Sequence, residues 1–193
     1  MNFATRGIVA VYETMGTVIA TSPTMNWSSL SVGVLVSCSG IVGVIILLNF
    51  KRISQKFNDF QIMMFGLFMM LISSGMFMFP LSNEENSGIQ FSLCFILMYS
   101  VAYPVGNTAA LAMFSKIIDE GPQGQFLGWF ASAGSASRII FPITAGVISV
   151  FYGNFFIFSI CSVMISLSIA ISLYFRRDIY LMLGIVFDSG NCC

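Results

Sequence analysis

Apolar residues in this chain come in long unbroken blocks, without the alternation of half-buried strands. Six blocks reach the roughly 20 residues a helix needs to cross a bilayer. They run approximately 4–22, 30–50, 60–80, 89–115, 125–150 and 153–175. The short segments between them hold most of the charges and turn formers, such as Asn26-Trp27-Ser28 and Pro122-Gln123-Gly124. The pattern predicts an all-α membrane protein. Residues 1–177 form a six-span transmembrane bundle, and 178–193 form a cytosolic or membrane-surface tail. Residue 1 leads almost at once into the first span, so no cleavable leader is expected ahead of it.

Composition narrows the function. The chain is 57% hydrophobic, 15% aromatic and 8% charged, against about a quarter charged in soluble domains. Eight Lys and Arg balance eight Asp and Glu, so there is no basic surplus for nucleic acid. Histidine is absent, which removes the commonest metal ligand. There is no phosphate-binding glycine loop, no Cys or His cluster and no nucleophile elbow. No enzyme activity, cofactor or metal is expected. Cys38, Cys94 and Cys161 lie in apolar runs, so no disulfide framework is expected. Cys192 and Cys193 read as an unpaired end in preference to a lipid acceptor.

Basic residues give the orientation. Lys51, Arg52 and Lys56 lie in the second loop, Lys116 in the fourth, and Arg176 and Arg177 after the sixth span. The first and fifth loops carry no charge, and the third carries only Glu84 and Glu85. The basic loops all fall on one side, so that side and both termini are expected to be cytosolic. Trp27 and Tyr152 then sit at the far interface, and Trp129, Tyr174 and Phe175 at the near one, as aromatic belts require. Asn26-Trp27-Ser28 is a glycosylation sequon on the far side, in a loop so short that poor use is expected. Tyr180-Leu181-Met182-Leu183 has the form of an endosomal sorting signal, although an apolar surface helix explains it at least as well.

Two charges lie where none should be free. A mid-membrane charge costs about 2.5–3.5 kcal/mol on insertion scales. Glu13 is about 15 Å into span one, and Arg138 about 20 Å into span five, at 1.5 Å per residue. Both spans run outward from the cytosol. Arginine cannot shed its proton, and Glu13 is the one acid deep in a span. A Glu13–Arg138 pair is the economical expectation. Arg6 lies nearer the cytosolic end and can snorkel.

Helical spacing supports a polar interior. Arg6, Ala10, Glu13, Thr17 and Ala20 line up on span one. Gly128, Ser132, Ser135, Arg138 and Pro142 line up on span five. Tyr99, Tyr103, Gly106, Asn107 and Ala110 line up on span four. Such stripes face a bundle interior or a watery cavity. The small residues Ala131 to Ala136 serve plain helix packing equally well. Pro104, beside Gly106, is expected to break span four and free carbonyls for a cavity, with Pro142 as a second kink. The candidate binding residues for solute or coupling ion are therefore Glu13, Tyr103, Asn107, Ser135 and Arg138.

The residues Tyr103-Pro104-Val105-Gly106-Asn107, Ser115-Lys116-Ile117, Pro122-Gln123-Gly124, Gly128-Trp129 and Ala133 through Ile139 together resemble the last third of a major facilitator superfamily transporter. The likeness is strongest to the lysosomal branch linked to ceroid lipofuscinosis type 7 and its invertebrate relatives. It covers nearly all of the chain up to about residue 178. The resemblance implies six transmembrane helices forming one half, spans seven to twelve, of the family fold, built from two inverted three-helix repeats. It implies an endolysosomal membrane and a small, anionic solute moved by alternating access, with a proton as candidate coupling ion. By the same analogy, spans one, two, four and five face the cavity. A complete path would need an N-terminal six-helix half or a second copy. An anion channel or uniporter, and a non-transporting half that regulates a full-length relative, are the competing readings.

Overall fold

The computed structural model describes residues 1–23, 25–78, 84–118 and 122–182. The regular elements among them are all helical: α1 Asn2–Ala20, α2 Ser29–Leu48, α3 Phe50–Ser54, α4 Asp59–Met76, α5 Glu84–Ile96, a π-helical segment Leu97–Ala102, α6 Tyr103–Ile117, α7 Gln123–Tyr152, α8 Asn154–Tyr174 and α9 Arg176–Met182. Helices α1, α2, α4, the run α5–π–α6, α7 and α8 coincide with the six apolar blocks to within a few residues. The difference is span three, whose helix ends at Met76 and not near 80. Asp119, Glu120, Gly121, Leu183, Cys192 and Cys193 lie outside the described residues.

Five of these helices are long and apolar enough to cross a membrane: α2, α4, the run Gly88–Ile117, α7 and α8. The 19-residue α1 has the length but carries Arg6, Glu13 and several threonines. One side of it is packed: Gly7 through Tyr12 are all buried, and α1 packs against α2, α6, α7 and α8. The face that carries Glu13, Thr14 and Thr17 is left exposed.

Span one packs chiefly on span five, span four on spans three and two, and span six on span three.

An aromatic cluster joins the spans. Phe77 stacks on Phe158 at 4.5 Å, and Tyr12 meets Phe158 edge-on at 5.3 Å. Phe91 and Phe95 pack at 4.5 Å beside them. Serines supply the polar links. Ser73 Oγ donates to the Cys94 carbonyl at 3.0 Å, and Ser74 Oγ lies 2.8 Å from Ser162 Oγ. Interhelical bonds of this kind are worth about 0.6 kcal/mol each in a membrane, so the aromatic packing dominates. At the interfaces, Trp129, Tyr152 and Tyr174 are exposed, while Trp27 packs on Phe91 at 5.6 Å.

Span four is not broken at Pro104. The helix runs through it, widened into the π segment over Leu97–Ala102. Proline lacks an N–H and its ring collides with the carbonyl one turn earlier; the wider turn relieves that collision without ending the helix. α2 accommodates the bulge. Ser100 Oγ donates to the Ser39 carbonyl at 2.9 Å. A Cβ on Gly43 would lie 2.8 Å from the Tyr99 carbonyl oxygen, so only glycine fits there. Pro142 likewise lies inside an unbroken α7.

Gly106 does not face a cavity. It is buried, and its backbone meets Gly66 of α4, where a Cβ on Gly66 would lie 2.5 Å from the Gly106 Cα. The tail also differs from the sorting-signal reading. Tyr180 is buried against Phe60 at 5.3 Å and lies under the Arg176 guanidinium at 5.4 Å. An adaptor needs an exposed tyrosine, whereas this one is packed.

The sequence reading missed one ion pair. Asp59 opens α4, and its buried carboxylate accepts from Lys116 Nζ at the end of α6. Lys116→Met leaves that carboxylate without its counter-ion. The helix N-terminus partly compensates, so a loss of about 1–2 kcal/mol is expected. Melting in mild detergent checks this, with Lys116→Arg expected to behave like the wild type.

Candidate solute-binding site

Spans one and five are parallel. Asn2 Nδ2 donates to the Phe130 carbonyl, and one turn on Arg6 packs against Gly134. A Cβ on Gly134 would lie 2.4 Å from Arg6 Cδ, and the Arg6 guanidinium sits over the Phe130 ring at 5.8 Å. Its Nε is buried without a hydrogen-bond partner. Arg6 is therefore folded into the α1–α7 seam.

Further along the seam the structure brings Glu13 and Arg138 together. Arg138 Nη2 donates to Glu13 Oε1 at 2.9 Å and to Oε2 at 3.2 Å. Arg138 stands midway along the 30-residue α7. Yet the two side chains are 47% and 40% exposed. The pair sits on an open face of the bundle, at mid-span depth.

The rest of that face is mixed. On α1, Glu13, Thr14 and Thr17 are exposed, while Ala10 and Ala20 are buried. The polar stripe is narrower than the sequence spacing suggested and includes Thr14. On α7, Gly128, Ser132, Ser135 and Arg138 are exposed and Pro142 is half-buried. Ser135 Oγ donates to the Ala131 carbonyl of its own helix at 3.1 Å, which leaves oxygen lone pairs open.

Span four contributes Tyr99, Tyr103 and Asn107, all half-buried. Tyr99 stacks on Phe95 at 5.7 Å and lies within the electrostatic reach of Glu13, Arg138 and Tyr103. No hydrogen bond joins Tyr103 or Asn107 to the ion pair. The Tyr99 hydroxyl and the Asn107 amide oxygen are buried without partners. Each such atom costs about 1–3 kcal/mol, a cost that a bound water or polar solute relieves. Tyr99 belongs with the site. Its signal in the sequence was its place one helical turn before Tyr103.

Among the described residues no group of His, Cys, Asp or Glu could hold a metal ion. Asn26 is exposed and has the left-handed φ of 50° in its turn.

The comparisons with known proteins agree with this architecture. Residues 2–181 match the family described as Major Facilitator Superfamily. "Major facilitator superfamily domain-containing protein 8" of Xenopus laevis is 34% identical over 73 residues, which is 38% of this chain and 14% of that protein. The match thus spans a small part of that relative's length. No solved structure matches the chain. The family is generally one of membrane transporters, and the helices suit an integral, multi-pass protein. With the match running through nearly every span described above, the chain belongs to the major facilitator superfamily.

Proposed function

We propose that this chain is the C-terminal six-helix half of a secondary transporter of endolysosomal membranes, moving a small anionic solute by alternating access. One observation carries the reading. A mid-span ion pair is exposed on the outside of the bundle. Facing hydrocarbon, each of its charges would cost about 2.5–3.5 kcal/mol. The face is therefore turned to water and to a complementary surface, either an N-terminal half or a second copy.

The pair also suggests how anion and proton couple. In the observed state Glu13 neutralises Arg138, so an incoming anion competes with a carboxylate. Protonation of Glu13 removes that competitor and frees Nη2 to bind the anion. Tyr99, Tyr103, Asn107 and Ser135 supply hydroxyl and amide groups around it. Release of the anion on the other side restores the pair as the proton leaves. The endolysosomal location rests on the resemblance of the 103–139 motifs. Both termini on the cytosolic side follow from the basic loops.

The test is uptake of chloride, sulfate, phosphate and small carboxylates into vesicles carrying the chain, with and without an imposed pH gradient. Uptake of one of them should follow the gradient, and Glu13→Gln should remove that dependence at equal expression. Unchanged pH-driven flux in Glu13→Gln ends the coupling mechanism. Ohmic currents indifferent to the gradient indicate a channel. Absence of flux, together with recovery of a full-length relative in gentle detergent, indicates a regulatory half.

A further inference from the structure

We propose a second binding site, for one anionic phospholipid, at the groove between α2, α3, α4 and the π segment. An acyl chain fills the groove, and Lys51, Arg52 and Lys56 hold the headgroup.

The groove has a volume of about 570 Å³, within the range of small-molecule sites. Ile46 of α2, Ile53 of α3, Phe57, Ile62 and Phe65 of α4, and Val101 and Val105 of span four line it, with Gln61 as a polar member. The lining is almost wholly apolar, so its occupant is a hydrocarbon.

The chain beside it is basic. α3 is short and amphipathic: Phe50 and Ile53 turn inward, while Lys51 and Arg52 are exposed. The chain then curls back. The N–H groups of Lys56 and Phe57 both donate to the Ile53 carbonyl, at 3.0 and 3.1 Å. The Asn58 N–H donates to Gln61 Oε1 at 3.3 Å. These bonds hold the turn that carries Lys56 and brings Phe57 to the groove lining. Phe57 is 56% exposed, a large apolar side chain in a segment that carries three cations. Among the described residues none of the three forms an ion pair, and the nearby Asp59 is already held by Lys116.

Ordinary lipid contact explains an apolar surface, and a topology signal explains basic residues. Neither explains an apolar groove whose lining residues Ile53 and Phe57 are flanked in the chain by three exposed cations without ion pairs. A phospholipid with a net negative headgroup matches both parts at once. A free anion would match only the cations, and a neutral lipid only the groove. The site is separate from the Glu13–Arg138 face and stands or falls independently of the transport reading.

Native mass spectrometry of the full chain, released from nanodiscs of phosphatidylcholine with added phosphatidylserine, provides the test. One phosphatidylserine should be retained in preference to phosphatidylcholine. The triple variant Lys51→Gln, Arg52→Gln, Lys56→Gln should weaken that retention by about a hundredfold, at about fivefold per cation near an anionic headgroup. Val101→Trp, which adds bulk to the groove lining and keeps the charges, should also displace the lipid. Equal retention of the two lipids by the wild type, or unchanged retention in the triple variant, overturns the site. Displacement of phosphatidylserine by inorganic phosphate at similar concentration identifies a free-anion site and overturns it too. The triple variant alters exposed side chains alone, so it decides the matter even if Val101→Trp does not fold.

Discussion

Arg138→Gln should lower anion flux per folded molecule by about ten- to a hundredfold while shifting the melting temperature little. A hydrogen bond to a charged group contributes about 1.5–3 kcal/mol, and each 1.4 kcal/mol is tenfold in affinity. The ion pair to Glu13 contributes far less to the fold. Both side chains are substantially exposed, and exposed pairs contribute about 0–1 kcal/mol. The two magnitudes separate the roles. If Arg138 is a solute-binding residue, flux falls and stability holds. If it is a structural clasp, stability falls and flux follows the amount of folded protein. The exchange Glu13→Arg with Arg138→Glu sharpens the distinction. It restores a pair across the same seam but moves the cation to α1, so it should keep stability without recovering flux. Recovery of both would mean that the pair matters and its direction does not.

Gly66→Ala should damage the fold itself. An ideal Cβ there lies 2.5 Å from the Gly106 Cα, 2.7 Å from its nitrogen and 2.9 Å from the Ala102 carbonyl oxygen. All three are backbone atoms, so no rotamer change relieves the clash, and α4 must move away from span four. Overpacking costs about 1–3 kcal/mol, and a backbone clash belongs at the upper end. Close helix approach is a main source of attraction between membrane helices, so the separation also loses contacts along the crossing. Gly75→Ala is the control on the same helix. Nothing lies within 4 Å of its added Cβ, and removing a helical glycine should be neutral or slightly stabilising. Melting of both variants in mild detergent checks the pair of outcomes. An unchanged midpoint for Gly66→Ala would refute the close crossing.

The Glu13–Arg138 contact, between residues 125 positions apart, was legible for a simple reason. Charges deep in apolar helices are few, each needs a partner, and one opposite charge was available. The spans were legible because bilayer thickness fixes their length. Details that depend on how helices rotate were not. Spacing at i, i+3 and i+4 put Ala10 and Ala20 beside Glu13, but those positions spread over a wide arc, and packing against neighbouring spans buried the alanines. Gly106 was read as part of a stripe facing either the bundle interior or a cavity, because a small residue beside a proline suits a hollow or a tight crossing alike. Only the presence of Gly66 opposite decides between them. Asp59 and Lys116 looked like separate loop charges until the fold brought α4 and α6 together. Pro104 marked the right place in span four without telling whether the helix would stop or widen.

The π segment also constrains how this sequence can change. A π turn holds one more residue than the α turn it replaces, and each residue of an α-helix advances the chain by about 100° around the axis. Deleting one residue from Leu97–Ala102 would let the wide turn close to an α turn, so Phe91 and Phe95 in the outer half and Tyr103 and Asn107 in the inner half would keep their facing, with the strain moved to Pro104. The same deletion in the α-helical stretch on either side would turn one half of the span against the other by about 100°. The π segment is thus the place where span four can lose a residue without twisting.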